Sequence, residues 1–200
     1  MKQENVKIIL PEGEFNVCAD IFELKDLKQL QIIYKDWISL CHKLRSFNAR
    51  AINLPEGLSE VAFCLFTGTY RLNNPKLGKN VHTSFDAYCP RTHKRIQIKA
   101  CSVIPDLTSF GPKSVWDEIY FLDFYKEGNW NGKFDVYHIP NALIYSQAVN
   151  KIATFQDFQG QGKRPRFSIF TEIIQRNSIQ AITFDLFDEN TILNRLPFTK

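Results

Sequence analysis

Residues Ser84–Ala100 read SFDAYCPRTHKRIQIKA, in which two apolar runs flank a basic stretch. If Arg91–Lys94 form a turn, the runs pair as an antiparallel hairpin that places Asp86 opposite Lys99. Because side chains alternate along a strand, one face of this hairpin is polar and the other is apolar. The polar face comprises Asp86, Tyr88, Gln97 and Lys99. The apolar face comprises Ala87, Ile96 and Ile98, which can pack on a helix.

An Asp and a Lys in two core-like strands need an explanation, because charges are rarely buried without a partner or a function. One explanation is a cross-strand ion pair, which stabilises a protein by at most about 1 kcal/mol. The other is a site for a metal and a phosphate. There Asp86 would bind a divalent cation, Gln97 would offer its carbonyl oxygen, and Lys99 would position a water. Spacing alone leaves both open, and it favours packing as the role of Tyr88.

The segments around the hairpin predict helices and further strands. Apolar residues at helical spacing predict one long helix or two short ones over Ile21–Ser46, and a second helix over Leu58–Tyr70. Strands are predicted at Thr83–Cys89, Arg95–Ser102, Glu118–Tyr125 and Phe134–Ile139. Residues 141–162 read as polar and partly helical, and the tail at Ala181–Phe187 as helix or edge strand. Together these elements predict an α/β (α+β) domain with a central mixed β-sheet flanked by helices.

The composition is that of a globular protein with a mildly basic surface. The 200 residues are 44% hydrophobic and 23% charged, with a formal net charge of +4, which permits a polyanionic partner without requiring one. Five scattered cysteines show no zinc-ligand spacing, so we expect reduced thiols and a cytoplasmic protein. No apolar run reaches the length of a membrane span, so no membrane partner is expected.

The hairpin resembles the signature of the PD-(D/E)xK nuclease superfamily, in which an acid opens one strand and acid-x-Lys lies in the next. Asp86 matches the first acid, and Gln97-Ile98-Lys99 stands where acid-x-Lys is usual. Glu60 in LSEVAF matches the acid that such nucleases often carry on the preceding helix. The resemblance implies a restriction-endonuclease-like core. It also implies a Mg²⁺ site formed by Asp86, Gln97 and Glu60, with Mn²⁺ able to substitute.

The match to this signature departs from the usual pattern at two positions. Phe85 replaces the usual proline, and Gln97 replaces an acid, which removes one negative charge from the metal site and should weaken metal affinity. A literal Pro-Asp at Pro105-Asp106 follows the QIK strand instead of preceding it, so we interpret it as loop.

Three further blocks resemble the small type II restriction endonucleases that recognise the five-base site GC-N-GC. They are RIQIKACSVIPDLTSFGPKSVWDEIYFLDFY (95–125), FDVYHIPNALIYSQAVNK (134–151) and QGKRPRFSI (161–169). The resemblance spans Leu54–Ile169 and implies Mg²⁺-dependent double-strand cleavage at a short GC-rich palindrome. It also implies double-stranded DNA as substrate, a homodimer with one site per strand, and a cognate DNA methyltransferase that acts on the same sequence.

Within this scheme residues 54–200 form the nuclease core. Residues 1–53 form an N-terminal helical region, packed with the core as one compact unit. The helix Ile21–Ser46 could supply a dimer contact or a clamp around DNA, or its apolar stripe could be ordinary core.

Basic residues in the second half of the chain are candidates for DNA contact. Lys163, Arg164 and Arg166 flank a rigid Pro165, and an arginine can bind guanine O6 and N7 through two hydrogen bonds. Lys113 and His93 are further candidates for phosphate contact, and any of the five could instead be solvated surface. Three rival functions stay open: a structure-specific or methylation-dependent nuclease on the same core, a DNA-binding protein whose nuclease site has decayed, and a purely structural protein with a coincidental hairpin.

Overall fold

The computed structural model describes residues 1–72, 77, 81 and 84–193. Eight strands form a mixed sheet in the order β1-β2-β3-β4-β5-β7-β8-β10, in which β5 and β7 are parallel and the other pairs are antiparallel. The eight strands are β1 (Lys2–Leu10), β2 (Gly13–Ile21), β3 (Tyr70–Leu72), β4 (Ala87–Cys89), β5 (Lys94–Cys101), β7 (Glu118–Asp123), β8 (Lys133–Ile139) and β10 (Ile182–Asp185). A second sheet pairs β6 (Thr108–Ser109) with β9 (Arg166–Phe167).

Helices cover the sheet on both sides. They are α1 (Leu27–Ser46), α2 (Glu56–Thr67), α3 (Asn141–Tyr145), α4 (Phe155–Gly160) and α5 (Asn190–Leu193), with a π-helix at Phe170–Gln175 and 3-10 turns at Leu24–Asp26 and Lys126–Gly128. The predicted mixed sheet flanked by helices is therefore confirmed. The predicted long helix, the second helix and the strands all occur with shifted ends, and Thr83 of the first predicted strand lies outside the described residues. The tail forms the edge strand β10.

The hairpin β4–β5 has a register two residues away from the predicted one. Tyr88 pairs with Arg95, and Cys89 pairs with Lys94, so Asp86 lies nearest Gln97 and not opposite Lys99. The turn is Pro90–His93, closed by the His93 N–H donating to the Cys89 carbonyl at 2.9 Å, with His93 at a left-handed φ of +57°. Proline has no N–H to donate to a ladder, which favours placing Pro90 in the turn. A shift of two residues keeps every side chain on its predicted face.

The expected helical character of residues 1–53 is wrong for the first 21 residues. They form the long hairpin β1–β2, in which Val6, Ile8 and Leu10 alternate with the exposed residues Lys7 and Ile9. This is the period of a strand and not of a helix. The hairpin continues the sheet through β3, where Ala19 pairs with Leu72 and Asp20 with Arg71.

The core has an aromatic-rich layer on each face of the sheet. On one face α1 and α2 bury their apolar stripes against Ala87, Ile96 and Ile98, as predicted. The buried residues of α1 are Leu27, Leu30, Tyr34, Trp37 and Cys41. Its stripe is therefore intramolecular core and not a free dimer contact. The five cysteines are free thiols, and no described helix has both the length and the apolar character needed to cross a bilayer.

Candidate active site

A cleft of about 690 Å³ opens at the C-terminal end of β5. It brings together Glu60 from α2, Asp86 at the start of β4, Lys99 on β5 and Arg166 on β9. The loop 102–109 forms one wall, and the linker residue Arg50 lies in the lining as well. Four of the site residues predicted from the sequence therefore line one cleft, although the first and the last, Glu60 and Arg166, are 106 positions apart in the chain.

Asp86 is a half-buried carboxylate with few donors. Its Oδ2 accepts a short hydrogen bond from Gln97 Nε2 and a 2.7 Å bond from the Ile98 N–H. Burial raises the pKa of Asp86 to about 6, and the negative charges of Glu60 and Glu56 act in the same direction. The Ile98 N–H and the Lys99 charge oppose this rise in pKa. A carboxylate held in this way gains from a nearby cation.

Gln97 supplies an oxygen without a protein partner. Its side chain is 3% exposed, and its Oε1 is buried with no hydrogen-bond partner among the described residues. An unpaired buried oxygen costs free energy, on the order of 1–3 kcal/mol. The amide can donate its N–H to Asp86, as it does here, or offer its oxygen to a cation.

Lys99 does not form the ion pair with Asp86 that one interpretation of the sequence required. Among the described residues no bond within 4.0 Å joins the two side chains, and the Lys99 ammonium lies 5.6 Å from the centroid of the Phe110 ring. The observed register explains this, because it places Asp86 opposite Gln97 and leaves Lys99 two residues further along β5. Lys99 is half-buried and lines the cleft, so its ammonium is left for other partners.

Glu60 faces the cleft from the second turn of α2 and is held by a residue that sequence reasoning missed. Arg71 Nε donates to Glu60 Oε2 at 2.7 Å, and Arg71 Nη1 lies 3.7 Å from Asp20 Oδ2. Arg71 belongs to no recognisable motif. Its position on a three-residue strand could only be found from the fold.

The literal Pro-Asp pair lies in a loop, as predicted, and its aspartate has a structural role. Asp106 is 6% exposed, and its carboxylate accepts hydrogen bonds from Thr108 Oγ1, Ser168 Oγ and the N–H groups of Ile169 and Phe170 at 2.5–3.0 Å. It therefore ties the cleft wall to the start of the π-helix.

The candidate DNA contacts divide by their distance from the cleft. Arg166 lines it, paired through the backbone with Ser109. Lys163, Arg164 and Lys113 are exposed on neighbouring loops, and Lys163 lies over the Phe158 ring.

His93 lies in the turn at the opposite end of the hairpin. Extended residues of β5 separate it from Lys99, and at about 3.3 Å per residue the distance is roughly 17 Å or more. Its Nδ1 lies 2.7 Å from the hydroxyl of Tyr88, which is buried as predicted.

The donor set fits a hard divalent cation through oxygen ligands. No group of three His, Cys, Asp or Glu side chains placed for a metal occurs in the part of the chain that the structure describes. The cleft lining instead offers the carboxylates of Asp86, Glu60 and Glu56. Gln97 is not part of the lining, but it is hydrogen-bonded to Asp86 and adds a buried, unpaired amide oxygen next to it. This set suits Mg²⁺ or Mn²⁺, which prefer oxygen and retain several waters.

The sequence is similar to that of known restriction endonucleases. The family described as Bsp6I restriction endonuclease matches residues 22–176. The type II restriction enzyme Bsp6I of Bacillus sp. (strain RFL6) is 36% identical over 152 residues, which cover 73% of this chain and 79% of that enzyme. No solved structure matches the chain significantly.

Proposed function

We propose, from the premise that the chain belongs to the Bsp6I restriction endonuclease family, that it makes Mg²⁺-dependent double-strand cuts at a short GC-rich palindrome such as GC-N-GC. The chain is a type II restriction endonuclease, a site-specific deoxyribonuclease that hydrolyses double-stranded DNA. The observation that carries the metal and the site residues is the half-buried Asp86 carboxylate in a cleft shared with Glu60 and Lys99.

Asp86, Glu60 and the amide oxygen of Gln97 would hold the ion. Bound Mg²⁺, or Mn²⁺ in its place, supplies a Lewis acid for the scissile phosphate and orients the attacking water. The raised pKa of Asp86 supports this role, since a cation favours the ionised form that burial disfavours. Gln97 would serve as a neutral ligand, and a bound cation would give its buried oxygen the partner that it lacks.

Lys99 would act on the phosphate and the water. Its ammonium has no ion-pair partner within 4.0 Å among the described residues, and it lies in the cleft above the Phe110 ring. There it can donate to the attacking water and offset the charge that develops on the phosphate. An amine that carries this charge in a half-buried site interacts more strongly than it would in water.

Arg166 is the best-placed candidate for DNA contact, because it lines the cleft beside the proposed chemistry. Its guanidinium could bind a guanine edge through two hydrogen bonds or contact a phosphate. Lys163, Arg164 and Lys113 extend the same positive region along exposed loops. His93 lies far from the cleft, so it could contact only a part of the DNA that extends outside the cleft.

A palindromic site cut on both strands calls for two active sites, which a homodimer supplies with its two-fold axis on that of the DNA. A cognate DNA methyltransferase would protect the host site by modifying the same sequence, without a stable complex between the two proteins. The buried stripe of α1 is used inside one chain, so any dimer contact lies on other surfaces.

The test is digestion of unmethylated and methylated plasmid with and without Mg²⁺, beside a Lys99→Ala variant. We expect discrete bands that need the metal and Lys99, and mapping their ends gives the recognition sequence and the cut position. Cutting only of methylated or branched DNA would support the rival nuclease. Cutting that persists in EDTA, or in the Lys99→Ala variant, would contradict the proposed site.

A further inference from the structure

We infer that the N-terminal hairpin β1–β2 positions Glu60 in the active site through the chain Asp20–Arg71–Glu60. This inference rests on the proposed function, since that function gives Glu60 its place beside the metal. The family match begins at residue 22, so Asp20 precedes the matched region while Arg71 and Glu60 lie inside it. Arg71 is a positioning residue, because it acts through Glu60.

The register of three neighbouring strands sets this chain. Arg71 on β3 pairs with Asp20 on β2 and with Ala87 on β4. Ala87 is buried on the face covered by α2, so the Arg71 side chain points to the same helix. There its Nε donates to Glu60 Oε2 at 2.7 Å. Its Nη2 lies in ordinary contact distance of the position that a Cβ on Gly57 would take, 3.9 Å away.

Burial increases from the Arg71 guanidinium to the Asp20 carboxylate of the hairpin. The side-chain exposures are 26% for Arg71, 17% for Glu60 and 4% for Asp20. Asp20 Oδ1 also accepts a hydrogen bond from Gln3 Nε2 at 3.0 Å, which fixes the carboxylate within the hairpin. A planar guanidinium held between two carboxylates has a restricted orientation. The hairpin, through Asp20 and Arg71, therefore fixes the orientation of the Glu60 side chain toward the cleft.

The positive charge of Arg71 also affects the orientation of Glu60. Glu60 and Asp86 line the same cleft, so their negative charges repel each other. Arg71 offsets part of the Glu60 charge in the metal-free protein. Without it, two carboxylates would face each other across the cleft without compensation, and the favoured response would be rotation of Glu60 away from Asp86.

The hairpin has other contacts with the sheet that do not lead to the cleft. Glu12 Oε1 accepts from Arg95 Nη1 at 3.1 Å, and the Ile9 N–H donates to the Tyr88 hydroxyl at 3.0 Å. Arg95 keeps two further side-chain bonds to Asp117. Glu12→Gln is therefore a matched control for Asp20→Asn, because it removes one charge and one hairpin contact without touching Glu60.

The experiment measures Mn²⁺ binding to the metal-free protein, with the free ion followed by electron paramagnetic resonance and without DNA. We expect Asp20→Asn and Arg71→Lys to weaken Mn²⁺ binding about 10-fold or more, the range seen for partners of metal ligands. We expect Glu12→Gln to bind as the wild type does. In a Glu60→Gln background the effect of Asp20→Asn on Mn²⁺ binding should vanish, because the contacts Asp20–Arg71–Glu60 then no longer position a carboxylate in the cleft.

Three outcomes would overturn the inference. Equal Mn²⁺ binding by Asp20→Asn and Glu12→Gln would show that the hairpin does not act on the site. An undiminished Asp20→Asn effect in the Glu60→Gln background would assign it to general electrostatics. If Asp86→Asn left the affinity for Mn²⁺ unchanged, the proposed metal site would be wrong, and the positioning role would fall with it. Urea midpoints of all variants separate weak binding from partial unfolding.

Discussion

Asp86 and Asp106 line the same cleft, yet the protein treats their carboxylates in opposite ways. Asp106 follows a proline, as the nuclease signature prescribes, and it accepts hydrogen bonds from four donors. Asp86 follows Phe85 and accepts from only two donors among the described residues. A fully bonded carboxylate stabilises a loop, whereas one that lacks donors is free to bind a cation. The unsatisfied bonding capacity of Asp86, more than a match to the Pro-Asp motif, therefore supports its proposed role as a metal ligand.

The largest expected effect is on cleavage by Asp86→Asn. The substitution keeps the size and the acceptor of the side chain but removes the charge that would hold the ion. We expect the single-turnover cleavage rate to fall about a thousandfold or more, because metal polarisation supplies several kcal/mol of transition-state stabilisation. Cleavage within tenfold of the wild type would remove Asp86 from the site.

Lys99→Ala should follow closely, with a loss of about a hundredfold to a thousandfold in the same assay. Loss of one charged donor to a developing anion has this magnitude in other enzymes. The affinity for DNA measured in Ca²⁺ should change little, because the ammonium acts on the transition state. Lys151→Ala, an exposed lysine away from the cleft, is the matched control and should cut as the wild type does. A loss confined to DNA affinity would make Lys99 a binding residue only.

Asp106→Asn is the counterpart on the structural side of the comparison. An amide turned toward the Ile169 and Phe170 N–H groups leaves donors unpaired in a buried place. We expect a loss of about 2–3 kcal/mol in the free energy of unfolding, measured by urea. Cleavage by the folded protein should stay within about tenfold of the wild type. If Asp106→Asn instead abolished cleavage at unchanged stability, the roles of the two aspartates would be exchanged.

The pH dependence of stability separates the same two groups. The pKa of Asp86 is raised to about 6 in the folded protein and is about 3.9 when unfolded, so the folded state holds its proton longer. Its contribution to stability is therefore full below about pH 4 and is lost as the pH rises through 6. In EDTA we expect Asp86→Asn to be more stable than the wild type by about 1–2 kcal/mol at pH 8, after a discount for partial exposure. The two should be equal near pH 4.

Urea unfolding of both proteins at the two pH values measures this difference. Asp106→Asn serves as the contrast, because it should be the less stable protein at pH 8. An Asp86→Asn variant that was also destabilised at pH 8 would show that its carboxylate, too, is a structural group.

The sequence was informative about the hairpin because alternation is a local property. It assigned Asp86, Gln97 and Lys99 to one face, and a register error of two residues preserved that assignment. It could not tell which pairs would touch, since the position of one turn residue decides this. The hairpin β1–β2 has an alternating pattern around Pro11–Gly13 and could have been predicted by the same reasoning.

Other parts of the site depend on contacts that no local pattern contains. Arg71 reaches Glu60 only because β3 lies between β2 and β4, an order set by the whole sheet. Arg166 and Lys99 are far apart in sequence and line one cleft because the short sheet β6–β9 folds over the end of β5. Such residues carry charge but no motif, so sequence alone gives them no distinguishing mark.

The smallest effect is expected for Gln97→Glu, which tests whether Gln97 acts through its oxygen or through the N–H that it donates to Asp86. The new carboxylate replaces the amide that donates to Asp86 and adds one charge to the ligand set. A cation then gains a second charged oxygen, so the Mg²⁺ concentration for half-maximal cleavage should fall severalfold, by roughly three to ten times. Gln97→Met, of similar length without a ligand oxygen, should raise this concentration. If both variants raised it equally, the N–H donated to Asp86 would be the function of Gln97, and its unpaired oxygen would have no part in holding the ion.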